Sequence, residues 1–165
     1  MAVHNDIKHH LEKSQVPYRH KTHPVAYTAQ EIAAFDHISG REMAKAVVLK
    51  ADGQLVLAVV PADRIVNLAA LKKIIGCDRL SLVPESEFKD RFEPCKPGAM
   101  PPFGRLFNVP VYCDRMLSKE DEIEFNAGTH YDTIRMRFED FLRLETPRME
   151  DFSLVAASNF ASRAA

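Results

Sequence analysis

The chain has 165 residues, 46% of them hydrophobic and 27% charged, which is the profile of one soluble globular domain large enough to bury a core. Its 22 Lys and Arg stand against 23 Asp and Glu for a net charge of -1, which excludes holding nucleic acid by bulk electrostatics and leaves at most a grip on a short piece. No apolar run approaches the roughly 20 residues of a membrane span. The polar, amphipathic stretch Met1–His10 has no apolar signal-peptide centre, so a cytoplasmic location is expected. Cys77, Cys95 and Cys113 are odd in number and form no Cys-x-x-Cys pair, which fits neither a disulfide framework nor a zinc knuckle and points to reduced, mostly buried thiols. Residues 1–50 hold seven Lys/Arg against five Asp/Glu plus six of the seven histidines, so this third is the favoured side for an anionic ligand.

In chain order, Val3, Ile7 and Leu11 recur at four-residue spacing and predict an amphipathic helix ending before Pro17. Tyr18–His23 reads as a short strand. Thr28-Ala-Gln-Glu31 is a capping box for a helix to about Asp36. Met43–Leu49 and Gln54–Val60 are β-rich runs joined by Asp52-Gly53, a hairpin placed centrally in the sheet. Asn67 caps a helix through Ile75 that Gly76 closes. A strand at Arg79–Val83 and a Pro84-initiated helix through Phe92 follow. Residues 93–104 carry four prolines and two glycines and predict an ordered loop. Val109–Cys113, Glu122–Phe125 and Thr133–Arg137 read as strands, the last two joined by a hairpin loop, and Phe138–Leu144 as a final helix. A loosely held tail is expected beyond Pro147. Strands interleaved with helices, together with two hairpins, predict a mixed sheet in a single α/β (α+β) domain over residues 1–150, with 151–165 as the tail.

Three places could carry chemistry. Alternation sets Lys45 on one strand face with Met43, Val47 and Leu49, opposite Ala44, Ala46 and Val48. An ammonium among apolar neighbours requires a carboxylate, backbone carbonyls or an anionic ligand, or else snorkels to water. In Gly98-Ala-Met-Pro-Pro102-Phe103-Gly104 the prolines remove donors and stiffen the backbone, leaving few amides in fixed directions. That suits an oxyanion site, although the loop taken alone reads first as an ordinary Pro-rich surface connection. In Asn126-Ala-Gly128-Thr-His130 the glycine supplies a positive φ beside a histidine, which by itself describes a turn. His20-x-x-His23 lacks companion ligands, so no metal site is expected. The absence of Gly-x-Ser-x-Gly, Walker and Gly-x-Gly-x-x-Gly patterns argues against a serine hydrolase, a nucleotide triphosphatase and a Rossmann dehydrogenase.

As an ordered set, Met43-Ala-Lys45-Ala-Val-Val-Leu, Val60-Pro-Ala-Asp-Arg-Ile-Val-Asn67-Leu, Pro97-Gly98-Ala-Met-Pro-Pro102-Phe-Gly104 and Phe125-Asn-Ala-Gly128 resemble the YbaK/prolyl-tRNA synthetase-associated editing domain family across roughly residues 5–150. The resemblance implies an α/β fold around a mixed, curved sheet flanked by helices. It also implies a free-standing deacylase acting without cofactor, metal or covalent nucleophile on mischarged tRNA, with Ala- or Cys-tRNA(Pro) the expected substrates. The implied partners are the tRNA acceptor end and prolyl-tRNA synthetase. It assigns Lys45 to the strand lysine that holds the 3′ end, Gly98 and Pro102 to the Gly-x-x-x-Pro backbone facing the ester, Gly128 to the last hairpin, and His130 to a pocket wall, with Phe103 and Gly104 beside the substrate. Two other functions fit the same fold: a non-catalytic aminoacyl-tRNA or synthetase-binding module, and a hydrolase of a small aminoacyl or nucleotide ester.

Overall fold

The computed structural model describes residues 5–156. Helix α1 (Asn5–Lys13) buries Ile7 and Leu11 one turn apart, and β1 (Tyr18–Thr22) follows it. The capping box starts α2 (Ala29–Phe35): the Glu31 amide donates to Thr28 Oγ1 at 3.1 Å, and Glu31 Oε2 accepts from the Tyr27 and Thr28 amides. Strands β2 (Ala44–Ala51) and β3 (Gln54–Pro61) form the expected hairpin, with Asp52 and Gly53 both at positive φ. Next come β4 (Arg64–Val66), then α3 (Leu68–Ile75) between its Asn67 and Gly76 caps. After these, β5 (Leu80–Leu82) leads to α4 (Glu85–Phe88), which tightens into a 3-10 turn through Phe92. Beyond the Pro-rich loop lie β6 (Val111–Asp114), β7 (Glu122–Asn126), β8 (Asp132–Arg137), α5 (Phe138–Glu145), β9 (Arg148–Glu150) and β10 (Ser153–Val155).

The end of the chain departs from the expected loose tail. β9 pairs parallel with β6 and β10 antiparallel with β4, and Phe152 between them is buried. The Phe152 amide donates to the buried Asp114 carboxylate at 2.9 Å, so this segment is anchored by one aromatic ring and one amide that period-based reading does not detect. Residues 157–165, the remainder of the expected tail, lie outside the described residues, as does Val3 of the first predicted helix. No helix among the described residues is long and apolar enough to cross a membrane.

The main sheet is mixed, in order β5-β2-β3-β6-β9, and a second sheet runs β1-β8-β7. Alternation divides the main sheet's faces. Ala44, Val48, Leu57, Val59, Val111 and Cys113 enter the larger core, shared with Phe103, Phe125 and Phe141. Leu49, Val56, Ala58 and Val60 turn to the opposite face, under α3. The two sheets meet at one parallel bridge, Met43 to Glu124. On that side of β2 the next partner is β5, whose pairing begins only at Leu49 of β2, opposite Leu82, so residues 44–48 have no neighbouring strand there among the described residues. The strands splay apart at this point and leave a gap, the feature of the fold that positions the site.

Candidate active site

Lys45 stands in this gap. Counting two residues along each strand from the Met43–Glu124 bridge brings Lys45 of β2 and Asn126 of β7 to the same level, both on the face turned away from the larger core. Lys45 is half-buried, and among the described residues its ammonium forms no ion pair or hydrogen bond. Burial holds its pKa below the usual lysine range, with the Asp63 carboxylate acting in the opposite direction. It lines a groove of about 290 Å3 with Val47, Ile65, Val66, Leu68 and Leu82. Ile65 and Leu82 are exposed, so this is an open apolar groove with one cation in its wall.

The Pro-rich loop and the β7–β8 hairpin are strapped together. The Lys96 amide donates to Gly128 O at 2.9 Å, and the Gly128 amide donates to Ala99 O at 3.0 Å. Gly98 (φ 83°) and Gly128 (φ 99°) occupy the left-handed region that side chains resist, which is why glycine stands at both positions. Pro97, Pro101 and Pro102 carry no N–H, and the Ala99 amide is used by Lys96 O. The amides of Gly98, Met100 and Phe103 find no acceptor among the described residues, so the loop keeps free donors in a stiff backbone, two of them beside the Gly98 turn. Pro102 is buried at the base of the loop, where its contribution is rigidity.

His130 closes one side. A Cβ built on Gly98 would lie 3.6 Å from His130 Cε1, and the His130 ring tilts against Tyr27 with centroids 4.8 Å apart. Its carbonyl accepts from the Ala26 amide. The hairpin loop is pinned from within, because the buried Asp132 carboxylate accepts from Thr129 Oγ1 and contacts His20 Nε2, each at 2.7 Å. His20 and His23 thus serve different partners. His23 Nδ1 lies 2.7 Å from Pro24 O, a contact in which the nitrogen must donate, so Nε2 is left as a buried acceptor without a partner.

Gly98 and His130 are therefore neighbours, and Gly128 is tied to the same loop through Lys96 and Ala99. The strand register sets Lys45 at the level of Asn126, whose amide reaches Gly98 O, while the groove that Lys45 lines contains none of the three. Two expected substrate contacts are not found at the site. Phe103 is fully buried, with its ring against those of His10, Phe125 and Phe141, and belongs to the core. Gly104 is buried because any Cβ there would come within 2.1 Å of Val109 O, so it is a packing glycine. Sequence reasoning passed over Asn126, which sits inside the quoted Phe-Asn-Ala-Gly motif. It also passed over Tyr27 and the apolar groove, which gathers residues from separate elements and has no periodic signature.

Beneath the site lies a carboxylate pair. Thr133 Oγ1 lies 2.9 Å from Glu124 Oε1 and 3.3 Å from Asp36 Oδ2, and Lys21 reaches Glu124 at 3.3 Å. Burial, together with the neighbouring Asp36 carboxyl, pushes Glu124 up to about 7.

Comparison with known proteins places this geometry in a family. Residues 23–144 match the model of the aminoacyl-tRNA editing domain. The multifunctional Ser/Thr-tRNA deacylase ProXp-y of Escherichia coli K12 is 30% identical over 151 residues, covering 88% of this chain and 90% of that protein. A proline–tRNA ligase of Dehalococcoides mccartyi is 31% identical over 134 residues, and there the match spans only 23% of the ligase. Among solved structures, a candidate trans-editing enzyme for prolyl tRNA synthetase superposes with a TM-score of 0.79 over 91% of this chain and 96% of its own at 19% identity, a likeness of fold. The mixed α/β domain expected from the sequence is this fold, and the chain belongs to the aminoacyl-tRNA editing domain family.

Proposed function

We propose that this protein is a free-standing, cytoplasmic aminoacyl-tRNA hydrolase that removes a small amino acid from a mischarged tRNA. The observation that carries the proposal is the half-buried Lys45 ammonium, without an ion-pair partner among the described residues, at the level of Asn126, which touches Gly98 of a glycine-proline loop whose Gly98 and Met100 amides are free. A half-buried cation with no carboxylate at ion-pair distance, Asp63 acting only from further off, is suited to an anionic or oxygen-rich ligand, and here that is the ribose-phosphate of the tRNA 3′ end. The apolar groove beside Lys45 takes the terminal base, and the Gly98 and Met100 amides hold the ester carbonyl oxygen as it gains negative charge. Fixed donors that need not reorganise stabilise such charge most effectively. Since an aminoacyl ester is already activated, a positioned water suffices as nucleophile. His130 bounds the side-chain pocket. A second site of this kind restores accuracy because a synthetase gains only about 1–3 kcal/mol from one methylene.

The near full-length likeness to a Ser/Thr-tRNA deacylase supports serine and threonine as acyl groups. The likeness to proline–tRNA ligases favours a second reading, alanine or cysteine on a proline tRNA, with prolyl-tRNA synthetase as partner. Purified protein incubated with tRNAs charged with alanine, cysteine, serine, threonine and proline is expected to release one or two of the small residues rapidly and to spare cognate pairs. Retained tRNA binding without any release would instead indicate a binding module. Equal rates on aminoacyl-tRNA and on the bare aminoacyl-adenosine would indicate a small-ester hydrolase.

A further inference from the structure

Asn126 is buried at the end of β7, and its amide is only half satisfied. Nδ2 lies 3.4 Å from Gly98 O, and because a carbonyl can only accept, the nitrogen must face the loop. Oδ1 is thereby turned the other way, and it has no hydrogen-bond partner. A buried amide oxygen left without a donor is costly, so an arrangement that fixes it in this state suits a ligand that supplies the donor. Asn126 touches Gly98 through Nδ2, and Gly98 approaches His130, so the side chain that carries the orphaned oxygen adjoins the wall assigned to the side-chain pocket. A neutral acceptor rejects phosphate and ester oxygens and takes an O–H or N–H group. With the Lys45 ammonium at the same level of the neighbouring strand, a neutral hydroxyl is a better occupant than a second cation.

From this juxtaposition we infer that Asn126 is a specificity-determining residue whose Oδ1 accepts a hydrogen bond from the side-chain hydroxyl of the acyl group, so that the site selects seryl and threonyl esters over alanyl esters. The inference rests on the deacylase reading above and narrows its substrate class. A site that hydrogen-bonds a substrate hydroxyl discriminates far more strongly against an analogue lacking it than an apolar pocket does against a change of size.

The test measures kcat/KM on seryl- and alanyl-tRNA of one tRNA body, for the wild type and for Asn126→Leu. The wild type should prefer serine by about 10-fold or more, and the near-isosteric variant should bring the ratio to within about 2-fold of unity, chiefly by losing serine activity. The ratio within one preparation cancels any loss of folded protein. A parallel fall on both esters with the ratio kept, as expected if Asn126 only supports the loop or holds the α-ammonium, would overturn the inference. Should the variant not fold, inhibition of the wild type by the non-hydrolysable 3′-seryl-amino and 3′-alanyl-amino analogues of 3′-deoxyadenosine decides it: about 10-fold tighter binding of the seryl analogue supports the inference, and equal binding overturns it. Wild-type protein that hydrolyses none of the esters would defeat the deacylase reading itself, an outcome distinct from hydrolysis with a ratio near unity.

Discussion

Lys45 is maintained against its own environment. Burial holds its pKa below the ordinary 10.5, so the native state sheds this proton before the unfolded chain does. Where the unfolded state binds more protons, stability rises with pH, and the lysine's unfavourable contribution therefore fades as pH climbs from the lowered native value toward 10.5. Replacing it by methionine should raise stability by about 0.5–1 kcal/mol, read as a higher urea midpoint at neutral pH, while the deacylase activity is lost. A variant that is destabilised, or that stays active, would show that the charge is satisfied in a way this structure does not contain. Lys45 was legible in the sequence because a lone charge in an apolar strand is a local anomaly. Asn126 was not, since an asparagine in an Asn-Ala-Gly turn is ordinary until its two amide atoms are seen in different surroundings.

Two glycines of the Pro-rich loop separate structural from functional roles. At Gly104 a Cβ would collide with backbone, so Gly104→Ala should yield little folded protein. At Gly98 there is room, and the cost is only the positive φ, about 1–2 kcal/mol. Gly98→Ala should therefore fold with a slightly lower melting temperature and be slowed in ester hydrolysis, since the Gly98 amide moves. The hairpin supplies a pH signature as well. Glu124 in the native state titrates near 7, above its unfolded value near 4.5, because burial and the Asp36 carboxyl disfavour its charge. Its proton uptake stabilises the fold fully below about 4.5, and that contribution is lost as pH rises through about 7. Glu145 behaves alike, so Glu124→Gln should flatten part of the decline in urea midpoint between pH 5 and pH 8. An unchanged slope would contradict this. The elements themselves were well signalled: the capping box, the Asp-Gly hairpin and the Asn67 and Gly76 caps each rest on chemistry within a few residues.

At the scale of the whole molecule, the sequence was least informative where distant segments meet. The three-residue strands β4, β9 and β10 are too short for period 2 to register, yet β9 extends the main sheet, β10 pairs with β4, and together they bring Phe152 into α3's side of the core. Phe152→Ala should cost about 3–5 kcal/mol as a core cavity, measurable by chemical denaturation. A loss under 1 kcal/mol would restore the loose-tail expectation. The gap between β7 and β5 along the β2 edge is likewise a product of assembly, visible only once both sheets are in place. The measurement that tests the central claim most directly is the single-turnover hydrolysis of the preferred small aminoacyl-tRNA by the wild type and by a Lys45→Ala variant with a native circular dichroism spectrum. The account predicts rapid release by the wild type and at least a 10-fold slower rate in the variant; equal rates would contradict it.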